Sequence, residues 1–185
     1  MQKEHDGVQE RPEKTQVDTI LREEGTGQVG SGRLQTERTF SFLKPESVMR
    51  GLIGEIVSRF ERKGLLLVAA KLKQVSDDEA QQLYSIHKGK PFFKELIEHV
   101  TSGPVFLMAW EGPNAVAIVR TLVGATNPAV AAPGTIRGDF ALQITPNAIH
   151  ASDSLENAKR ETSIFFPSEE IAEYSKPTES KFLLK

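Results

Sequence analysis

Apolar residues in the region that starts at residue 37 alternate between strand spacing and helix spacing. Residues 38–43 are rich in β-branched and aromatic side chains, which predicts a strand that ends at Lys44 and Pro45. In residues 48–62 the apolar side chains recur every three or four positions, which predicts a helix that ends before Gly64. Residues 65–75 begin as a continuous apolar run and then alternate with lysines, so we predict a strand that leaves the core.

The rest of the pattern predicts further helices and two more strands. Ser76 and Glu79 have the spacing of a capping box, which predicts a helix to about residue 87. Pro91 suits the first turn of the next helix. The remaining predicted elements are a helix from 91 to about 100, a strand at 104–110, a helix from an Asn114 cap to about 124, a long loop at 124–138, a strand at 139–145, a helix from a Ser152 or Asp153 cap to about 162, and a short helix after Pro167.

The order of these elements indicates a fold class. Without one inserted helix, the predicted order is βαββαβ, which is the ferredoxin-like arrangement. It is an α/β (α+β) fold in which helices pack on one face of a four-stranded antiparallel sheet. Because this arrangement carries many different activities, it does not by itself indicate a function.

Composition separates the beginning of the chain from the rest. Residues 1–36 hold seven acidic and five basic side chains, five glycines, no aromatic residue and only seven hydrophobic residues. Such a segment buries too little apolar surface to offset the entropy lost on ordering. We therefore predict a flexible polar N-terminal tail at residues 1–36 and one domain at residues 37–185, which is long enough to form a core.

The overall composition excludes several classes of protein. A net charge of −2 gives no global basic field of the kind that nucleic-acid binding uses. The sequence has no apolar run of about 18 residues and no apolar signal core, so no membrane segment is expected. The absence of cysteine excludes disulfides, thiolate metal sites and cysteine nucleophiles. We expect a soluble cytoplasmic protein that requires no nucleic acid.

Few motifs in the sequence point to chemistry by themselves. The G-x-G-x-x-G pattern at residues 25–30 follows a charged stretch rather than a strand, so a linker is favoured over a dinucleotide site. The spacing of the four histidines fits no zinc signature. His150 lies between the last predicted strand and a predicted helix N-terminus, where a phosphoryl group is favoured. Lys44, Arg120 and Arg137 lie near the ends of predicted elements and could converge on one anion, although unrelated surface cations are individually commoner.

Nine segments between about residues 37 and 175 resemble, in order and spacing, those of nucleoside diphosphate kinases. The most specific are Pro-Gly-Thr-Ile-Arg-Gly-Asp-Phe at 133–140 and Asn-Ala-Ile-His-Ala-Ser-Asp-Ser at 147–154. The others include Lys-Pro-Glu at 44–46, Lys-Pro-Phe-Phe at 90–93, Ser-Gly-Pro at 102–104, Trp-Glu-Gly at 110–112 and Thr-Asn-Pro at 126–128.

The resemblance implies transfer of the γ-phosphoryl group of a nucleoside triphosphate such as ATP to a nucleoside diphosphate. The family works by a ping-pong mechanism through a phosphohistidine, which falls on His150. Glu161 is expected to orient the imidazole, with support from Ser152. Mg²⁺ is expected to arrive with the nucleotide, so no dedicated metal site is expected. The implied phosphate and sugar contacts are Lys44, Tyr84, Arg120, Thr126, Arg137 and Asn147, and the implied base clamp is Phe92, Leu96 and Ile144.

Three features depart from the usual pattern of the family. The usual Lys-Pro-Asp-Gly becomes Lys-Pro-Glu46-Ser47, Ala151 replaces the glycine after the histidine, and residues 129–132 are more apolar than usual. If the backbone at residue 151 required a positive φ, Ala151 would be strained. These changes bear on the rate of the reaction more than on its type.

Two other functions are weighed against the enzyme. A catalytically weak member could act as a regulatory or interaction protein through residues 1–36, but the intact set from Lys44 to Glu161 favours the enzyme. A nucleic-acid-binding module should show a basic face, which the 18 acidic and 18 basic residues of the domain disfavour.

Family members form hexamers or tetramers, and those that continue well past the final helix tend to be hexameric. We therefore expect a homo-hexamer, with a homo-tetramer as the alternative.

Overall fold

The protein folds around a four-stranded antiparallel sheet. The computed structural model describes residues 36–175. Strands β1 (Thr36–Leu43), β2 (Leu66–Gln74), β3 (Pro104–Pro113) and β4 (Ile149–Ala151) lie in the order β2-β3-β1-β4. Each neighbouring pair is antiparallel. The ferredoxin-like arrangement expected from the sequence is confirmed.

Seven α-helices lie between and after the strands of this part of the chain. In chain order they are α1 (Pro45–Met49), α2 (Ile53–Arg62), α3 (Asp77–Leu83), α4 (Phe93–Thr101), α5 (Ala115–Val123), α6 (Ile136–Phe140) and α7 (Leu155–Phe165), with short 3-10 turns at Ser85–His87, Pro128–Val130 and Ser168–Glu170. The capping box at Ser76 and Glu79 is present at the start of α3.

Helices pack on both faces of the sheet, whereas the sequence predicted one face. Along β1, Phe40 and Phe42 belong to one buried cluster and Leu43 to another. The first cluster includes residues of α3, α4 and α7, and the second includes residues of α2, α5 and α6. Because the central strands β1 and β3 carry apolar side chains on both faces, each face needs a covering layer.

The strand predicted at residues 139–145 is wrong. Residues 136–140 form α6 instead, and the last strand is Ile149–Ala151. The Thr135 side chain accepts a hydrogen bond from the Gly138 amide and so caps the helix. The alternating apolar residues Leu142 and Ile144, which suggested a strand, are 96% and 59% exposed. Their alternation therefore does not mark a buried sheet face.

Other differences concern where helices begin and end. The helix predicted at 48–62 is divided into α1 and α2 near Gly51, which has a φ of 71°. Asn114 precedes α5 with a φ of 50° and makes no side-chain capping bond. Ser154, rather than Ser152 or Asp153, caps α7. Each difference depends on backbone angles that local propensity leaves open.

The predicted domain boundary lies at the edge of the described region. Thr36, assigned to the tail by the sequence, is the first residue of β1. The rest of the predicted tail, residues 1–35, and the end of the chain from residue 176 lie outside the described residues. Within residues 36–175, no helix is long and apolar enough to cross a membrane.

Candidate active site

His150 lies in the middle of β4, whereas the sequence predicted that it follows the last strand. Its neighbours in β4, Ile149 and Ala151, belong to the core on one face of the sheet. Strand alternation therefore turns the imidazole to the opposite face. There it stacks on Phe42, with ring centroids 5.0 Å apart and planes at 22°, and meets the edge of Tyr84 at 6.0 Å. The imidazole is 20% exposed.

A carboxylate on α7 holds one nitrogen of this imidazole. Nε2 of His150 lies 2.8 Å from Oε2 of Glu161, which also accepts a 2.6 Å hydrogen bond from the Ser152 hydroxyl. Arg160 donates to the other oxygen of Glu161 at 3.2 Å. Burial raises the pKa of Glu161, but these hydrogen bonds and the neighbouring charges outweigh it and lower the pKa below its usual value.

The ionised carboxylate determines which tautomer His150 adopts. An ionised carboxylate only accepts hydrogen bonds, so Nε2 of His150 must carry the proton. The lone pair of the neutral ring then lies on Nδ1. No group between residues 36 and 175 forms a hydrogen bond with Nδ1. His150 therefore presents a nucleophilic nitrogen with its other nitrogen fixed.

Two arginines are anchored to the backbone on either side of His150. Arg137 donates to the carbonyl of Ile149 at 2.8 Å, and Arg120 donates to the carbonyl of Ala151 at 3.5 Å. Arg137 lies on α6 rather than at the end of a loop, and it is buried. Burial and the charge of Arg120 lower the pKa of Arg137 to about 10. Arg137 therefore remains charged at neutral pH, and both guanidinium groups contact the backbone next to His150.

Lys44 and Tyr84 complete the polar surroundings. Lys44 is buried directly after β1 and donates to the carbonyl of Thr145 at 2.6 Å. Burial lowers the pKa of Lys44 to about 8, against the opposing charge of Glu46. Burial and the charges of Glu161 and Glu46 raise the pKa of Tyr84, so its hydroxyl stays protonated. The Tyr84 hydroxyl is therefore a neutral hydrogen-bond donor. Lys44 is a cation that is poorly hydrated because it is buried.

The residues expected to hold the sugar and base differ in how far they are exposed. Asn147 is buried, and its amide donates to the carbonyl of Thr126 at 3.1 Å, while no donor in the described chain reaches its Oδ1. Phe92 and Ile144 are 46% and 59% exposed. Leu96 instead packs partly into the core, so it offers the least free apolar surface of the three.

Sequence reasoning missed the contacts of Arg160. Its guanidinium donates to the carbonyl of Leu83 at 3.2 Å and to Glu161 at 3.2 Å, so it links the end of α3 to α7. Tyr84 directly follows Leu83, and Arg160 thus touches the supports of both Tyr84 and Glu161. Its position next to Glu161 was the only signal in the sequence.

The backbone removes one concern about the departures from the family pattern. Ala151 lies in β4, and the non-glycine residues with positive φ between 36 and 175 are Asn114 and Ala148. Ala151 is therefore not forced into the left-handed region, and its methyl group is buried in the core.

Between residues 36 and 175, no three His, Asp or Glu side chains are arranged to hold a metal ion.

Comparisons with known proteins show which family this chain resembles. The family model described as "Nucleoside diphosphate kinase" matches residues 37–171. The nucleoside diphosphate kinase of Halalkalibacterium halodurans is 58% identical over 140 residues, which are 76% of this chain and 95% of that protein. That of Archaeoglobus fulgidus is 54% identical over 143 residues, or 77% and 95% of the two chains.

Solved structures give the same result. A nucleoside diphosphate kinase family protein from Babesia bovis has a TM-score of 0.75 and 49% identity, and the match covers 77% of this chain and 96% of that one. A nucleoside diphosphate kinase from Halobacterium salinarum, solved in complex with CDP, has a TM-score of 0.77 and 44% identity, with coverage of 80% and 98%.

Proposed function

Because the chain belongs to the nucleoside diphosphate kinase family, we propose that His150 is the residue that carries the phosphoryl group. The reaction of this family transfers the γ-phosphoryl group of a nucleoside triphosphate to a nucleoside diphosphate through a phosphohistidine. The observation that supports this most strongly is the arrangement of its two nitrogens. Glu161 engages Nε2, while Nδ1 has no hydrogen-bond partner among residues 36–175. Arg120 and Arg137 contact the backbone carbonyls of the residues on either side of His150.

The two half-reactions use Nδ1 in turn as nucleophile and leaving group. Nδ1 attacks the γ-phosphorus, the bond from that phosphorus to the β–γ bridging oxygen breaks, and the nucleoside diphosphate leaves. A terminal β-phosphate oxygen of the acceptor diphosphate then attacks the same phosphorus and releases Nδ1. Glu161 keeps its hydrogen bond to the Nε2 proton throughout and stabilises the positive charge that the ring gains when Nδ1 is phosphorylated.

The cations and Tyr84 stabilise charge on the moving phosphoryl group. Phosphoryl transfer depends mainly on positioning and on electrostatic stabilisation of the phosphoryl oxygens. Arg120, Arg137 and Lys44 supply positive charge, and Tyr84 supplies a neutral hydroxyl donor. Because Lys44 and Arg137 are buried, water competes little with the phosphate for their charges.

Ribose and base contacts follow from the remaining residues. The buried Oδ1 of Asn147 lacks a donor in the described chain, and a sugar hydroxyl supplies one. Thr126 lies beside Asn147 through its carbonyl. The exposed ring of Phe92, with Ile144 and Leu96, offers apolar surface for a base, and stacking of that kind accepts any base.

Magnesium enters this proposal with the nucleotide. The described chain has no acidic cluster that would form a protein cage, so the phosphate oxygens and water would supply the ligands of Mg²⁺. When bound, the ion neutralises charge on the β- and γ-phosphates.

We also propose that the protein forms a homo-hexamer. We further propose a cytoplasmic location, because it fits the nucleotide substrates, and cell fractionation would test it.

Labelling with γ-³²P-ATP tests the assignment of His150. The wild-type protein should gain acid-labile, alkali-stable label that a nucleoside diphosphate removes. His150→Ala should gain none, because it lacks the nucleophilic nitrogen, while still binding ATP. The matched control is His5→Ala, the same substitution outside the domain, and it should label like the wild type. Label on His150→Ala equal to the wild type would refute the assignment, and a wild type without label would indicate a regulatory protein.

A further inference from the structure

Ala148 has an unusual backbone conformation two residues before His150. Its φ is 72°, in the left-handed region that costs free energy for any residue with a Cβ atom. It is fully buried, and it lies between Asn147 and the first residue of β4. Such a conformation persists only where surrounding contacts hold it.

The turn at the start of α1 holds both peptide groups of Ala148. The Ala148 amide donates to Oε1 of Glu46 at 2.9 Å. Its carbonyl accepts two hydrogen bonds, from the Ser47 hydroxyl at 2.9 Å and from the Lys44 amide at 3.0 Å. Three bonds from residues 44–47 therefore converge on one residue.

Glu46 is itself held from a second side. Its other oxygen, Oε2, lies 2.8 Å from Nε2 of His99 on α4, and the side chains of Glu46 and His99 are 18% and 20% exposed. Burial raises the pKa of Glu46, but the hydrogen bonds of His99 and of the Ala148 amide outweigh it and lower the pKa. The carboxylate therefore remains an ionised acceptor for the Ala148 amide.

Strand β4 depends on this support because it is short. It pairs with β1 through only three residue pairs, Ser41 with Ala151, Phe42 with His150 and Leu43 with Ile149. If Ala148 relaxed to an ordinary φ, the chain would enter β4 in a different direction. Both Asn147 and His150 would then move.

We propose that Glu46 and Ser47 are positioning residues that hold Ala148 in its left-handed turn and thereby set the place of His150. The proposal rests on the function proposed for His150. These two residues are also the ones that depart from the Lys-Pro-Asp-Gly pattern of the family. A glycine in place of Ser47 has no hydroxyl to donate, so this hydrogen bond depends on the departure itself.

Single-turnover labelling by rapid quench measures the effect on the chemistry. The variants are Glu46→Ala, Glu46→Gln and Ser47→Ala. The control is Glu98→Ala, because Glu98 is exposed on α4 and its carboxylate pairs with Lys94. Glu46→Ala should lower the rate constant of phosphohistidine formation by about tenfold, because small misplacements are costly. Glu46→Gln should stay within about threefold of the wild type, because its amide oxygen still accepts the Ala148 N–H. Ser47→Ala should lower the rate about threefold.

A second substitution separates positioning from a general loss of structure. Glycine adopts a positive φ without the Cβ penalty. The double variant that combines Glu46→Ala with Ala148→Gly should therefore form phosphohistidine at least about threefold faster than Glu46→Ala alone. Rates for Glu46→Ala and Ser47→Ala equal to that of Glu98→Ala, or no recovery with Ala148→Gly, would overturn the proposal. If Glu46→Ala does not fold, Ser47→Ala alone decides in the same way. A wild type without label would instead refute the function proposed for His150.

Discussion

At the scale of single residues, the environment of His150 serves its proposed role through burial and hydrogen bonding together. Phe42 supports the ring from one face, and Glu161 accepts from Nε2. The carboxylate of Glu161 is in turn held by Ser152 and Arg160. A group that is restrained on every side except Nδ1 needs little reorganisation when a phosphoryl group arrives.

Lys44 makes the proposed reaction sensitive to alkaline pH. Its pKa is lowered to about 8, so the free enzyme loses this charge as the pH rises through that value. The charge is needed to bind phosphate, and kcat/KM should therefore fall up to about tenfold per pH unit above about pH 8. Steady-state kinetics at a series of pH values measures this fall.

Lys44→Arg is the matched variant for that pH profile. Arginine does not deprotonate in this range, so the alkaline fall should move upward even if the absolute rate is lower. An unchanged alkaline fall in Lys44→Arg would show that another group is responsible.

At the scale of elements, one residue of α2 makes three contacts with the short helix α6 and the residues just before it. Arg59 contacts Oδ2 of Asp139 at 2.6 Å and the carbonyl of Gly134 at 3.2 Å, and its guanidinium lies 4.6 Å from the ring centroid of Phe140. A helix of five residues has too few internal hydrogen bonds to be stable alone. The contacts of Arg59 are therefore expected to contribute to the position of Arg137.

Arg59→Ala should loosen α6 and disturb Arg137 without touching the substrate. We expect the unfolding temperature to fall by about 3 °C and kcat to fall severalfold. Thermal unfolding and steady-state kinetics measure the two effects. Arg62→Ala, on the same helix and exposed, is the control and should change neither. Equal unfolding temperatures for the two variants would contradict this account of α6.

At the scale of the whole molecule, the surface fits the proposed assembly. Val130 is 73% exposed in the segment between α5 and α6, which also contains Pro128 and Pro133. Exposed apolar side chains on a loop that prolines stiffen are suited to a subunit contact. The same segment leads into α6, which carries Arg137. Assembly is therefore expected to support the site.

Light scattering of the full chain tests the hexamer. Six chains of 20.5 kDa give about 123 kDa, whereas a tetramer would give about 82 kDa. Pro133→Ser should loosen the assembly and lower its unfolding temperature, because the loop loses a restraint on φ. A mass of 20.5 kDa at micromolar concentration would reject the assembly argument.

The sequence alone determined those features that depend on neighbouring residues. Hydrophobic spacing was sufficient to predict β1, β2 and β3, and the capping box at Ser76 was sufficient to place the start of α3. The reaction was implied by the resemblance of the motif around His150, and of the other matching segments, to nucleoside diphosphate kinases; each of these segments is local in the chain. These predictions succeeded where local propensity and packing favour the same structure.

Tertiary structure decided the features that depend on distant residues. Apolar alternation at residues 139–145 predicted a strand, but Leu142 faces no core and α6 forms instead. Glu46 meets the amide of Ala148 across 102 positions of the chain, and no local pattern indicates that contact. The left-handed turn of Ala148 is unfavourable in isolation. It exists because residues 44–47 converge on it after folding, with Glu46 held in turn by His99 of α4. Spacing along the chain does not contain that information.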